Sequence, residues 1–76
     1  MDKLAKLQDI FRDVLDDESI MLTRETSPDK TGGWDSFAHI NVVAACEAEF
    51  SVKFDLNDYP RIKTVGDLMD MIEGKL

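Results

Sequence analysis

Residues 2–15 place Leu4, Leu7, Ile10, Phe11, Val14 and Leu15 three and four apart, which gathers them on one side of a helix. Lys3, Lys6, Asp9, Arg12 and Asp13 fall on or near the other side, so the spacing predicts a first helix over 2–15. Asp16-Asp17-Glu18 marks its end, because acidic side chains sit poorly beside the negative pole of a helix. From 16 to 35 no period survives. Ser27-Pro28-Asp29 and Gly32-Gly33 are turn chemistry, and Ile20 and Leu22 are the apolar anchors expected to tuck this long loop against a core.

The pattern resumes at Asp35, a good N-cap, and predicts a second helix over 36–50. Its apolar residues fall on two sides. His39, Val42, Val43, Cys46 and Phe50 form one stripe, and Phe37, Ile40, Ala44 and Ala48 form another, centred about 140° away at helical spacing. One stripe suffices to join a core, so the second calls for a partner. Beyond Val52 and Phe54, Asp55 can cap a short helix over 56–59 that Pro60 keeps from extending. Thr64-Val65-Gly66-Asp67 has the form of a capping box, and Val65, Leu68, Met69 and Ile72 predict a last helix over 65–73 that ends near Gly74. Three main helices and one short one make an all-α single domain, 1–76, with a long loop between the first two helices.

Composition narrows what this bundle can meet. Sixteen acidic residues against nine basic give a net charge of −7, which argues against nucleic acid or an anionic membrane surface as partner and favours proteins with basic surfaces. No run approaches the roughly 18 apolar residues of a membrane span and no apolar leader opens the chain, so the expectation is a soluble, cytoplasmic monomer with no stable membrane insertion. Cys46 is the lone cysteine, so an internal disulfide and a Cys/His zinc site are both excluded, and it reads as a small core side chain. A calcium-loop template begun at Asp29 fails, with Trp34 at the required glycine and Ile40 at the bidentate glutamate. No metal site is expected.

Chemistry concentrates at Ser36. A phosphate ester there would sit at the start of a helix, where free N–H groups and the positive end of the dipole favour an anion, while Gly32 and Gly33 let the preceding chain turn and keep the hydroxyl open. Taken alone, Asp-Ser at a helix start is an ordinary N-cap. His39 lies one turn on, but no third orienting group accompanies a Ser–His pair, so His39 reads as a core-edge residue rather than part of a nucleophilic dyad. No catalytic residue is expected.

Gly32-Gly-Trp-Asp-Ser-Phe37 resembles the Asp-Ser-Leu motif of acyl carrier proteins, in which the serine bears phosphopantetheine. The resemblance extends over the whole chain. It takes in the long first loop, Glu47-Ala-Glu-Phe50, Phe54-Asp-Leu56 and Lys63-Thr-Val-Gly-Asp-Leu68. It implies an acyl-carrier-like four-helix bundle that is not an enzyme. It implies that a phosphopantetheinyl transferase, using coenzyme A and magnesium, attaches 4′-phosphopantetheine covalently to Ser36, and that acyl groups then ride on the arm as thioesters between acyl-loading and acyl-accepting enzymes. By position, Asp35, Phe37, Ile40, Ala44 and Glu47 would form the side that docks on basic, apolar partner surfaces.

Several residues depart from the family pattern. Phe37 replaces the usual leucine, Trp34 stands where a small or aliphatic residue is common, Asn41 replaces an acid, and His39 takes the place of a small residue. These departures point to a carrier of a specialised polyketide, lipid or glycan-modifying pathway rather than of housekeeping fatty acid synthesis. The double glycine also resembles peptidyl carriers, whose motif is Gly-Gly-x-Ser, whereas Asp35 before the serine favours the acyl type. An unmodified helical interaction domain is the rival expectation from another class.

Overall fold

The structure is a computed structural model and describes residues 3–76. Helix α1 spans Lys3–Val14, α2 Ser36–Phe50 and α3 Val65–Lys75, with 3-10 turns at Pro28–Lys30 and Tyr59–Arg61. The start expected for α1 at residue 2 lies outside the described residues. At its other end Leu15 leaves the helix, because Asp16 adopts a left-handed φ of 52°. The N–H of Asp17 then donates to the Arg12 carbonyl (3.0 Å) and that of Asp16 to Asp13 (3.4 Å). These bonds close the helix in the manner usually reserved for a glycine. Backbone geometry, rather than charge alone, ends α1. Ser51, φ 55°, does the same for α2, with the Val52 N–H reaching the Glu47 carbonyl at 3.3 Å.

The apolar stripes meet as the spacing predicts. Leu7 and Phe11 of α1, Val42, Val43 and Cys46 of α2, and Val65, Leu68 and Ile72 of α3 are fully buried. Burial at about 25 cal/mol per Å2 of apolar surface makes this cluster the main favourable term in folding. Leu22 is buried and Ile20 half-buried, so the long loop is indeed pulled inward.

That loop is also bolted at both ends. Gln8 of α1 accepts from the Leu22 N–H at 3.0 Å, and the Arg12 Nε donates to the Ile20 carbonyl at 2.9 Å. At the other side, the Thr26 and Arg24 carbonyls accept from the Val65 and Gly66 N–H groups, each at 2.9 Å. Two donors left open by the start of α3 are thereby satisfied by the loop. A Cβ on Gly66 would stand 3.0 Å from the Arg24 carbonyl oxygen, so glycine is what lets the two backbones approach. The capping box forms in altered shape. Thr64 Oγ1 accepts from the Asp67 N–H (3.1 Å), but Asp67 returns its bond to the N–H of Lys63, one residue earlier than usual (3.1 Å).

Three expectations need correction. The loop over 16–35, in which no helical period was expected, holds a 3-10 turn that Pro28 opens. The short helix expected over 56–59 lies at Tyr59–Arg61, after a turn over 56–58 in which the Asp55 N–H donates to Asp58 Oδ2 (3.1 Å). Pro60 belongs to that turn rather than ending it, because a first-turn residue has no need of its N–H and proline's φ is already set. Finally, α3 runs through Gly74 to Lys75 instead of stopping at 73.

Candidate functional site

Trp34 anchors the site. It is 3 % exposed and stands edge-on to Phe11 of α1, ring centroids 4.8 Å apart. Gly33 precedes it at φ 89°, a conformation that a side chain would strain, while Gly32 has open space around it and is not required in the same way. With Trp34 fixed, Asp35 falls into extended backbone and its Oδ1 accepts from the Ala38 N–H at 2.9 Å, capping α2. Ser36 is then the first helical residue, and it is exposed. The N–H groups of Ser36 and Phe37 have no intrahelical acceptor at this position, and the dipole presents its positive end there. A phosphate on the Ser36 oxygen suits these surroundings.

Beside Ser36 opens an apolar groove of about 740 Å3. Ser36, His39 and Ile40 form its wall on α2, Leu56, Tyr59 and Pro60 face them, and Trp34 and Ile62 lie deeper. His39 spans the groove's inner end. Trp34 Nε1 donates to His39 Nδ1 at 3.0 Å, and His39 Nε2 lies 3.0 Å from the Tyr59 carbonyl oxygen. His39 is thus half-buried with both ring nitrogens engaged, as a core-edge residue should be, and it makes no hydrogen bond to Ser36.

Along α2 the two stripes separate. Val42, Val43 and Cys46 face inward at 0 % exposure, whereas Phe37 is 76 % exposed, Ile40 52 %, and Ala44 and Ala48 are exposed. Of the residues placed on the outer side by sequence, Asp35 and Ile40 share the groove with Ser36, and Phe37 and Ala44 stand clear on the surface. Glu47 is different. It is half-buried, and its Oε2 accepts from the Phe54 N–H at 2.7 Å, which bolts the segment after α2 to the helix. Glu49 is also occupied, 3.3 Å from the Lys6 ammonium. The outward side of α2 is accordingly more apolar than its acid count suggests. Leu56, 84 % exposed on the groove's rim, and Met21, 74 % exposed in the long loop, were not picked out by periodicity. The available signal for Leu56 was a large aliphatic residue isolated within turn chemistry, Asp55-Leu-Asn-Asp58.

Cys46 takes no part in the site. It is fully enclosed, and burial, followed by the nearby charges of Glu47 and Glu49, pushes its thiol up from 9.0 to about 12. Among the described residues no group of three or more His, Cys, Asp or Glu is arranged to hold a metal ion, and no helix is long and apolar enough to cross a membrane.

No family model matches the chain. The acyl carrier protein of Thermotoga maritima is 35 % identical over 72 residues, covering 95 % of this chain and 89 % of that protein. The acyl carrier protein of Porphyromonas gingivalis is 35 % identical over 71 residues, covering 93 % and 91 %. The solution structure of a holo acyl carrier protein from Geobacter metallireducens superposes with a TM-score of 0.88 at 44 % identity, over 99 % of this chain and 86 % of that one.

The chain belongs to the acyl carrier protein family. It is a carrier and not an enzyme, and the family's prosthetic group is phosphopantetheine. This carrier has the exposed helix-start serine, the capping aspartate and the adjoining apolar groove in one place. Those residues fit such a group.

Proposed function

We propose that Ser36 bears the phosphopantetheine arm and that the chain carries acyl groups on it between the enzymes of a specialised polyketide, lipid or glycan-modifying pathway. The arm supplies the thiol that holds the cargo as a thioester. The chain supplies the attachment point, the groove beside it and the docking surface. The observation that carries the reading is the exposure of Ser36 at the first position of α2, on the lip of an apolar groove. Asp35 fixes the start of α2 through its bond to the Ala38 N–H, so Ser36 is presented to a transferase at a fixed place on the helix. The open N–H groups of Ser36 and Phe37 favour the phosphodiester, and the apolar walls suit the methylene-rich part of an arm and its cargo.

Incubation with a promiscuous phosphopantetheinyl transferase, coenzyme A and magnesium should add one phosphopantetheine by intact mass. Ser36→Ala should abolish the addition with the helical spectrum intact. No mass change with several transferases would sink the assignment.

Docking would use Phe37, Ile40 and Ala44 as apolar contacts, with Asp35 and the free oxygen of Glu47 meeting basic groups at the rim. Ile40 is half exposed and Phe37 more so, so Ile40→Asp should slow modification and cargo transfer about tenfold or more while moving stability by less than about 1 kcal/mol. A stability loss of several kcal/mol would instead place Ile40 in the core. Support for the specialised pathway comes from Phe37, whose exposed ring offers a partner pocket more than leucine would, and from Asn41, exposed where the family commonly has an acid. Transfer assays against fatty-acid-synthesis enzymes should accordingly be poor. Full activity with them would overturn the pathway assignment and leave the carrier role standing.

A further inference from the structure

Trp34, His39 and the Tyr59 carbonyl form a hydrogen-bonded relay that the attachment chemistry does not call for. An indole nitrogen can only donate, so His39 Nδ1 must accept from Trp34 Nε1 (3.0 Å). A carbonyl can only accept, so the ring's proton resides on Nε2 and is donated to the Tyr59 oxygen (3.0 Å). The partners on each side thus dictate one tautomer. Packing reinforces it. The His39 ring lies 5.8 Å from that of Trp34 and meets Tyr59 edge-on at 6.1 Å, and Trp34 is itself wedged against Phe11.

The relay joins three segments: the end of the long loop, the first turns of α2, and the second 3-10 turn. These segments are the floor and the two walls of the groove beside Ser36. Among the described residues, His39 to Tyr59 is the hydrogen bond that runs from the first half of α2 to residues 55–62; the Glu47 bond to Phe54 lies two turns further along. His39 therefore ties the two walls together at the level of its own turn.

We propose that His39 is a positioning residue for the prosthetic arm, a clasp that holds the Tyr59–Ile62 wall at the spacing in which an arm on Ser36 rests in the groove. The inference depends on Ser36 being the attachment point. Because the relay spends both polar atoms of the imidazole on protein partners, the ring meets the groove as apolar surface. His39 acts through the wall, not by bonding the phosphate.

The experiment compares apo and phosphopantetheinylated 15N-labelled protein, in the wild type and three variants. His39→Gln can accept from Trp34 and donate to Tyr59, so it rebuilds the clasp. His39→Leu fills similar space without either bond. Trp34→Phe removes the indole donor and keeps a ring against Phe11. In the wild type, ring 15N shifts should report the Nε2–H tautomer, and attaching the arm should move the amides of Tyr59, Arg61 and Ile62. His39→Gln should retain those arm-induced shifts, and His39→Leu should lose at least half of them while Ser36 is still modified. Trp34→Phe should lose part of them and relax the tautomer preference, which keeps the test open if the leucine variant fails to fold. A wild-type Nδ1–H tautomer, or arm-induced shifts of undiminished size in the leucine and phenylalanine variants, would overturn the clasp. Failure of the wild type to accept the arm would instead overturn the assignment of Ser36.

Discussion

Ser36 and Cys46 lie on one helix and illustrate how position decides what a nucleophilic side chain can do. The hydroxyl is exposed at the first turn, whereas the thiol is sealed in the core with its ionisation pushed up to about 12. Cys46 should therefore stay unlabelled by thiol reagents in the folded apo protein. On the proposed reading, one thiol becomes reactive after modification, and it is the arm's. The same shift sets a pH dependence. A thiol whose folded value is raised favours the folded state below its ordinary 9.0, and that contribution is lost as pH climbs from 9.0 through about 12. Urea unfolding of wild type and Cys46→Ala at pH 7 and at about pH 11 should show the two converging at the higher pH. A constant difference would mean that the thiol does not titrate in that window.

Among elements, the helix ends are where this chain departs from the commonest solutions. Asp16 and Ser51 hold left-handed backbone at φ 52° and 55° to close α1 and α2. Such a conformation costs a residue with a Cβ about 1–2 kcal/mol relative to the right-handed form, and glycine largely escapes that cost. Asp16→Gly and Ser51→Gly should each stabilise the domain by about 1 kcal/mol, or about 4–8 °C in Tm for a chain this small, measured by thermal and urea unfolding. Destabilisation by either would show that the side chain contributes more than its backbone costs. Glu47 shows the reverse lesson. Placed by the family resemblance on the docking side, it holds the Phe54 N–H at 2.7 Å, so a charge reversal there would disturb the loop as well as a partner.

At the scale of the whole molecule, a net charge of −7 in a small bundle means self-repulsion, and specific ties offset part of it. Lys3 pairs with Glu73 at 3.0 Å, Arg24 with Asp70 at 3.0 Å and Lys75 with Asp58 at 3.1 Å, connecting α3 to α1, to the long loop and to the turn below the groove. The Arg24–Asp70 pair is exposed and contributes little, whereas Asp58 is mostly covered. Asp58 is held below its ordinary 3.8, first by the Asp55 N–H and then by Lys75, and Asp17 is lowered by the hydroxyl and N–H of Ser19. Depressed carboxylates add stability above their ordinary value and lose it as pH falls through the lower folded one. Asp58→Asn should therefore be less stable than wild type at pH 7, with the gap closing below about pH 3.8. Unfolding curves across that range check it, and a gap unchanged in acid would remove Asp58's charge from the account.

The chain by itself determined the three main helices, the inward stripe of Val42, Val43 and Cys46, the exposed stripe of Phe37, Ile40 and Ala44, and the capped serine at the head of α2. All of these follow from local periodicity and from capping bonds within four residues. Only the tertiary structure decided the rest. Trp34, which in the sequence was merely an unusual neighbour of the motif, packs on Phe11 of another helix and bonds His39. Leu56 and Tyr59 reach the rim of the Ser36 groove from some twenty residues away, and Gly66 is fixed by the carbonyl of Arg24. Apart from the Trp34–His39 bond, these relations join positions twenty or more residues apart. Their geometry exists only once the core has closed, and no spacing along the sequence encodes it.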